Sequence, residues 1–270
     1  MTAALILLAI ATLQSADWIN EGGNARRTNW QPEEREITPA SARNLKLIWK
    51  RQLGGGGHQL STPIILGRLI TYRGTVELVF VTSSKGFVYA VDGDFGKVFW
   101  THQLPLNSNR CATVATPALT PLAPGFDPDD DGPQPLRPLY VLAPDAMLHT
   151  LNPIDGKDYS MPRPASCAAS LVVRGTKSYA AGPAPNNAVW RDARGARHTY
   201  PGAVVAGGVA FVLQKSTGEL QAFDALTREL LYRSGPTNPA AGSLAVANGH
   251  VCFTALDSTL YCFGFPGLVN

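Results

Sequence analysis

Charge is scarce in this chain. Asp, Glu, Lys and Arg make up 16% of its 270 residues, and the formal net charge is +3. The basic residues are scattered; the densest groups, Arg26-Arg27 and Arg191 to Arg197, read as solvated loop or face. A nucleic-acid surface needs a larger, clustered bias, so that class of partner is excluded. No apolar run reaches the ~20 residues that a spanning helix requires. No long helical period is present either, which removes the helical and α/β classes. The four cysteines show no C-x-x-C spacing, which speaks against zinc binding and thioredoxin-type chemistry.

What is abundant is turn chemistry, with 26 Gly and 21 Pro. Between the turns one unit recurs, complete at Gly86-Phe-Val-Tyr-Ala-Val-Asp-Gly-Asp-Phe-Gly-Lys-Val-Phe-Trp100. Worn copies stand at Met147 to Lys157, Gly218 to Glu229 and Ser258 to Gly264. Each reads as a strand, an Asp-type turn and a second strand. Stretches opening with small residues precede them, as in Ser61-Thr-Pro-Ile-Ile-Leu66 and Pro201-Gly-Ala-Val-Val-Ala206, and suit the crowded inner strand of a ring. The fold class expected is all-β, a β-propeller of four-stranded blades.

Spacing sets the blade count. A blade repeats at about 40 residues. The interval from Asp92 to Asn152 is longer and holds the turn-rich insertion Pro121 to Pro135. The interval from Asn152 to Asp224 is nearly two blades, and Ala188 to Gly195 around Asp192 reads as a degenerate third unit, which makes five. Ile48-Trp-Lys-Arg-Gln-Leu53 repeats the outer strand Phe99-Trp-Thr-His-Gln-Leu104 with Trp, Gln and Leu identical. The last unit ends without an outer strand of its own. The N-terminal strand is therefore expected to complete the last blade and close a whole small ring.

The apolar run Ala3 to Ala11 fits the core of a secretory signal, with cleavage after Ala11 or Ala16, although no basic residue precedes it. Residues 1–16 are read as the signal peptide and 17–270 as one domain. The protein is expected to be periplasmic or secreted, without a lipid anchor because no Cys lies near the cut. Cys252 and Cys262 flank a turn at Asp257-Ser258 symmetrically, and Cys111 and Cys167 bracket the second repeat. Two disulfides in that pairing are expected; the alternative is four buried thiols acting as small apolar residues.

Two features carry a family resemblance. One is the complete repeat at Gly86 to Trp100. The other is the leader Asp17-Trp-Ile-Asn-Glu-Gly-Gly-Asn-Ala-Arg-Arg-Thr-Asn-Trp30, followed by Ile37-Thr38 and Asn44 to Trp49. Together they resemble the quinoprotein-like (pyrroloquinoline-quinone-like repeat) β-propeller family over nearly all of the mature chain. The resemblance implies two functional classes. In one, a dehydrogenase binds the quinone and calcium on a larger ring and oxidises alcohols or sugars. That chemistry needs a carboxylate base, a metal acting as Lewis acid and surfaces that stack on the quinone. In the alcohol-oxidising branch one such surface is a vicinal disulfide; this chain has no adjacent cysteines, is far shorter, and offers no carboxylate matching the base. In the other class the propeller is a non-catalytic binding or assembly scaffold. The scaffold is the favoured reading, a monomer holding a protein or small molecule at a propeller face. Clustered acids and a flat stacking pocket in the central funnel would point instead to the enzyme.

Each local candidate for a site also has a plain structural alternative. Asp127, Asp129 and Asp131 in Asp127-Pro-Asp-Asp-Asp-Gly132 fit the opening of a calcium loop, Gly at the sixth position included. The ninth and twelfth positions are Pro135 and Pro138, and the alternative is a solvated acidic loop. As a site, the loop predicts that calcium raises the melting temperature and that Asp129→Ala abolishes the shift. His58, His102, His149, His198 and His250 have no ligand spacing. Gly54 to His58 is a glycine-rich connection without the Lys-Ser/Thr of a phosphate loop. Gly182 to Asn187 is a loop at a face available to a ligand. Trp49, Trp100 and Trp190 suit packing between blades, and Asp92 and Asp224 suit tight turns.

Overall fold

The computed structural model describes residues 16–71, 74–106, 110–121 and 137–265. After the leader come two strands, β1 (Trp30–Gln31) and β2 (Lys46–Gln52), on either side of a 3-10 turn at Ser41–Asn44. The first blade is an antiparallel sheet of β3 (Ile64–Thr71), β4 (Gly74–Thr82), β5 (Phe87–Asp92) and β6 (Val98–Gln103). The second holds β7 (Ala118–Leu119), β8 (Leu139–Leu142), β9 (Met147–Leu151) and β10 (Arg163–Pro164). Next come two hairpins, β11 (Ser170–Arg174) with β12 (Lys177–Ala181) and β13 (Asn187–Arg191) with β14 (Arg197–Pro201). A further blade runs β15 (Ala203–Ala206), β16 (Val209–Gln214), β17 (Glu219–Asp224), β18 (Leu230–Arg233), with β1 added parallel to β15. The last contains β19 (Ala245–Ala247), β20 (His250–Thr254) and β21 (Thr259–Gly264), with β2 as its outer strand.

This is a β-propeller. The first strands of the blades lie side by side around the centre: β19 touches both β3 and β15, β13 lies against β15, and β11 against β7. Strands β7, β15 and β19 are buried along their whole length, as the uninterrupted Ala203-Val-Val-Ala206 requires, whereas outer β2 is largely exposed. The expected closure is present: β2 pairs with β21 from Lys46↔Gly264 to Gln52↔Thr259, leaving neither strand as an open edge on that side. The expected degenerate unit around Asp192 takes another form. In place of one four-stranded sheet, the interval holds the two separate hairpins, with Asp192 in the turn of the second. Its sequence does not suit a strand between β12 and β13, because the connection Gly182-Pro-Ala-Pro-Asn186 carries two prolines within five residues.

The repeat's chemistry is turn and packing geometry. Asp92 Oδ1 accepts the N–H groups of Asp94 and Phe95 at 3.0 and 2.9 Å, and Asp224 Oδ1 accepts those of Leu226 and Thr227 at 2.9 and 2.8 Å. The outer-strand tryptophans dock on the next blade's turn. Trp49 donates to the Gly93 carbonyl at 2.6 Å, and Trp100 to that of Pro153 at 2.8 Å. Tyr200 of β14 takes the equivalent place against Arg228, whose guanidinium lies 5.2 Å from the ring centre. Both disulfides are formed as paired from the sequence. Cys111–Cys167 and Cys252–Cys262 have Cα separations of 5.4 and 4.2 Å, and the latter two residues face each other across β20 and β21.

Candidate functional site

The leader makes one circuit of the ring, visiting the blades in chain order. Ala16 starts on Asn248, giving its N–H to Oδ1 at 2.7 Å and receiving Nδ2 at 2.9 Å. Trp18 exchanges backbone hydrogen bonds with Ile65 of β3, and the Ile19 carbonyl accepts the N–H of Leu119 in β7. Arg27 reaches the Gly182 carbonyl at 2.7 Å, and the Thr28 carbonyl accepts from Val189 of β13. Strand β1 then runs along β15. Glu34 returns to the N–H of Gly249 at 3.2 Å, one residue from where the circuit began. Gln31 donates to the Asp17 carbonyl at 2.7 Å and ties the end to the start. Inner-strand backbone groups that would otherwise face the centre unpaired are thus satisfied by the chain itself.

Two charged side chains fix the beginning of the circuit. Asp17 accepts the Gly67 N–H at 2.9 Å on Oδ1 and pairs through Oδ2 with Arg137 at 2.5 Å. Trp18 is fully buried, and Gly23, at φ +87°, lies so close that a Cβ there would stand 2.8 Å from the indole. These residues do not fit a quinone at the ring's centre. The flat indole there is covered by the leader's own backbone, and the inner edges are already paired.

Between the leader and the later blades lies a cleft of about 370 Å³, within the range of small-molecule sites. The loop Pro183 to Asn186 forms one wall, Val204, Phe211 and Leu213 another, and Gly242 to Leu244 the third. Half-buried Glu21 and buried Asn29 of the leader also line it, as does exposed Lys215. Burial pushes the Glu21 carboxyl above its usual range, opposed by the Ala184 N–H at 3.1 Å and by the Arg27 and Lys215 charges. The Arg27 guanidinium lies 3.5 Å from Glu21. The cleft lining therefore combines a carboxyl, an exposed lysine and aliphatic side chains.

A second polar cluster joins the last and first blades. His250 Nδ1 lies 2.8 Å from Glu77 Oε1, an ion pair outside the alignment of a good hydrogen bond, and its Nε2 lies 3.8 Å from Asp94. Burial works against the imidazolium, but the Glu77, Asp94 and Glu34 carboxylates outweigh it and push its pKa up to about 9. Burial raises Asp94 and Glu34 as well, the latter against three backbone N–H bonds from Ile37, Gly249 and Glu36. Asn248 links this cluster to the leader by donating to Glu77 at 2.8 Å.

The sequence candidates separate clearly. Asp127, Asp129 and Asp131 lie outside the described residues. The loop Gly182 to Asn187 does border the cleft. The histidines are dispersed: His58 in the β2–β3 connection, His102 in β6, His149 in β9, His198 in β14 and His250 in β20. His149 pairs with Asp158 at 3.1 Å, and His198 with Asp192 at 3.0 Å while stacking on Trp190. The glycines of Gly54 to Gly57 form the connection leading to β3. Glu21, Asn29 and Lys215 were not singled out from the sequence. The first two stood inside the quoted leader, but only folding brings them to a cleft.

No protein-family model matches the chain, and no curated protein matches it. Among solved structures, the quinohemoprotein alcohol dehydrogenase from Comamonas testosteroni is 19% identical over 82% of this chain, with a TM-score of 0.39. The alignment spans 27% of that enzyme, so this chain corresponds to about a quarter of its length. BamB from Moraxella catarrhalis is 12% identical over 82% of this chain and 100% of its own, with a TM-score of 0.26. The Pan2 WD40 domain of Neurospora crassa is 9% identical over 85% and 98%, with a TM-score of 0.40. At such identities and scores the sheet topology, not these likenesses, is the basis of the fold.

Proposed function

We propose that this protein is an exported, non-catalytic binding scaffold of the quinoprotein-like type, a monomer that holds its ligand in the cleft behind the loop Gly182 to Asn187. The observation that carries the reading is the leader's circuit. The centre of the ring, where a dehydrogenase of this type would need room for a quinone, is lined with the chain's own Trp18, Ile19 and Asn20, all buried. Two disulfides, the apolar run Ala3 to Ala11 and the absence among the described residues of a helix able to cross a membrane accord with a periplasmic or secreted protein. Residues 17–270 are taken as one domain, since the leader bonds to each sheet and hairpin pair around the ring.

Two measurements test it. Pyrroloquinoline quinone added with calcium is expected to give no bound-chromophore spectrum and no dye-linked oxidation of alcohols or sugars; either signal would restore the dehydrogenase. Small molecules from a periplasmic extract are expected to stay with the protein through gel filtration and be identified by mass spectrometry. Ser243→Trp, which fills the cleft from a half-buried position, should release them. Retention that ignores this substitution would remove the cleft as the site.

A further inference from the structure

Each four-stranded blade pairs its second strand on both sides, whereas β12 is paired on one side only. The register shows which of its groups are open. Leu171 gives its N–H to the Thr116 carbonyl, so its backbone groups point away from β12, and those of Ala180 directly opposite point away from β11. Val173 and Ser178, two residues along, stand the same way. The N–H and C=O groups of Ser178 and Ala180 therefore form a free edge, without a partner among the described residues. Strand β13 does not fill it. Its own free edge turns to the leader, where Val189 donates to Thr28 at 2.8 Å and the Asn187 carbonyl accepts from Asn29 at 3.1 Å.

The outer edges of the ring are blunted, and this one is not. Outer strands β2, β6 and β18 each carry a bulge, at Ile48, Phe99 and Leu231, while β10 and β14 end in Pro164 and Pro201. β12 keeps a regular register and has no proline, and exposed Tyr179 stands between its two open residues. The hairpins around it are basic. From Ser170 to Pro201 stand Arg174, Lys177, Arg191, Arg194 and Arg197, all exposed, against one acid, Asp192, which is bonded to His198 at 3.0 Å. Five basic residues against one acid exceed the whole chain's formal charge of +3. An unpaired ladder selects a polypeptide, and the charge beside it selects an acidic one.

We propose that β12 is a docking edge for an extended acidic segment of a partner protein, which adds as the next strand of the β11–β12 sheet. The surface is separate from the cleft, whose lining contains no residue of β11 or β12.

The test is fluorescence anisotropy of the full chain with a labelled peptide of alternating Glu and Val. Its controls are the Lys and Val counterpart and an acidic version N-methylated at two consecutive central residues, which blocks both of its edges. The acidic peptide is expected to bind saturably and more weakly as salt is added, with each control about tenfold weaker or worse. Hydrogen exchange should show Ser178 and Ala180 protected only in the complex. Ala180→Pro removes one open N–H and no bond of the hairpin, so it should keep the melting temperature and lose about tenfold in affinity. Arg174→Glu with Lys177→Glu, at exposed positions, should shift the preference toward the lysine peptide. Ser243→Trp should leave peptide binding unchanged, so the cleft reading and this one fail separately. Absence of saturable binding overturns the proposal, as does equal binding of the N-methylated peptide, which would mean charge alone. Protection on an outer strand instead of β12 also overturns it. So does protection of Ser178 and Ala180 without peptide, which would assign the edge to the chain itself or, if it grows with protein concentration, to a second copy.

Discussion

The indole of Trp100 lies on the bare Cα of Gly156 in the neighbouring blade. A Cβ at Gly156 would stand 2.8 Å from the ring, and the glycine's φ is +74°. Trp49 repeats the arrangement on Gly96, at φ +64° with 2.6 Å to the ring. The final Gly of the repeat is thus required twice over, by backbone conformation and by the ring that seals one blade against the next.

Gly156→Ala is expected to cost about 2–3 kcal/mol, adding the left-handed strain of an L residue to the displaced indole. Gly175→Ala is the control, since it shares a positive φ of +59° but has nothing within 4 Å of its Cβ direction. It should cost only ~1 kcal/mol. Denaturant midpoints of the two variants check the difference; equal losses would mean that the tryptophan contact contributes nothing.

Stability should fall as pH rises from about 6.5 to about 9. His250 has its pKa pushed up to about 9 in the folded protein, so its contribution is complete below the unfolded value of about 6.5. That contribution disappears as the imidazolium loses its proton near pH 9. Glu34 and Asp94, raised by burial, act in the same sense from the ordinary carboxylate range upward. Melting temperatures across this range should decline in the wild type and flatten in His250→Gln. A slope unaffected by the substitution would assign the effect elsewhere.

The disulfides differ in the loops they close. Cys111–Cys167 spans 56 positions and Cys252–Cys262 spans 10. On chain-entropy grounds, removing the first as a double Ser variant should cost about 4 kcal/mol and removing the second about 3 kcal/mol. Urea titrations of the two variants would show whether the order holds.

Trp18→Ala should cost about 3–5 kcal/mol, because a fully buried indole leaves a cavity that the surrounding strands cannot fill. Asp17→Asn tests the same circuit more gently, removing the charge opposite Arg137. Hydrogen exchange should then speed up at Gly67 and Leu119, whose N–H groups bond to the leader. Unchanged protection would mean that the leader does not hold the inner strands.

If the chain is exported, its mature form should begin at Thr12 and not Asp17. Cleavage after Ala16 would discard a residue that is 1% exposed and bonded to Asn248 in both directions. N-terminal sequencing of the secreted protein checks this.

How much was legible follows from the distance over which each cause acts. Asp92, Asp224 and the outer-strand tryptophans act within a unit or on the next one, so their spacing disclosed turn, strand and blade contact. Cys252 and Cys262 were readable because a hairpin makes sequence symmetry into spatial opposition. The split of the Asp192 unit into two hairpins was not readable, since strand period does not say which hairpin pairs with which. Glu21, Asn29 and Lys215 lack any common spacing.

By itself the sequence determined the all-β class, the repeating turn-and-strand unit, the cysteine pairing and the closure of the last blade by β2. All of these follow from local backbone preference and from patterns that recur along the chain. Only the tertiary structure decided that the leader circles the ring, that His250 meets Glu77 and Asp94, and that Glu21 and Lys215 line one cleft. Those outcomes depend on groups far apart in sequence being desolvated together. Burial, which makes an unpaired atom or a close charge matter, exists only once the ring has closed.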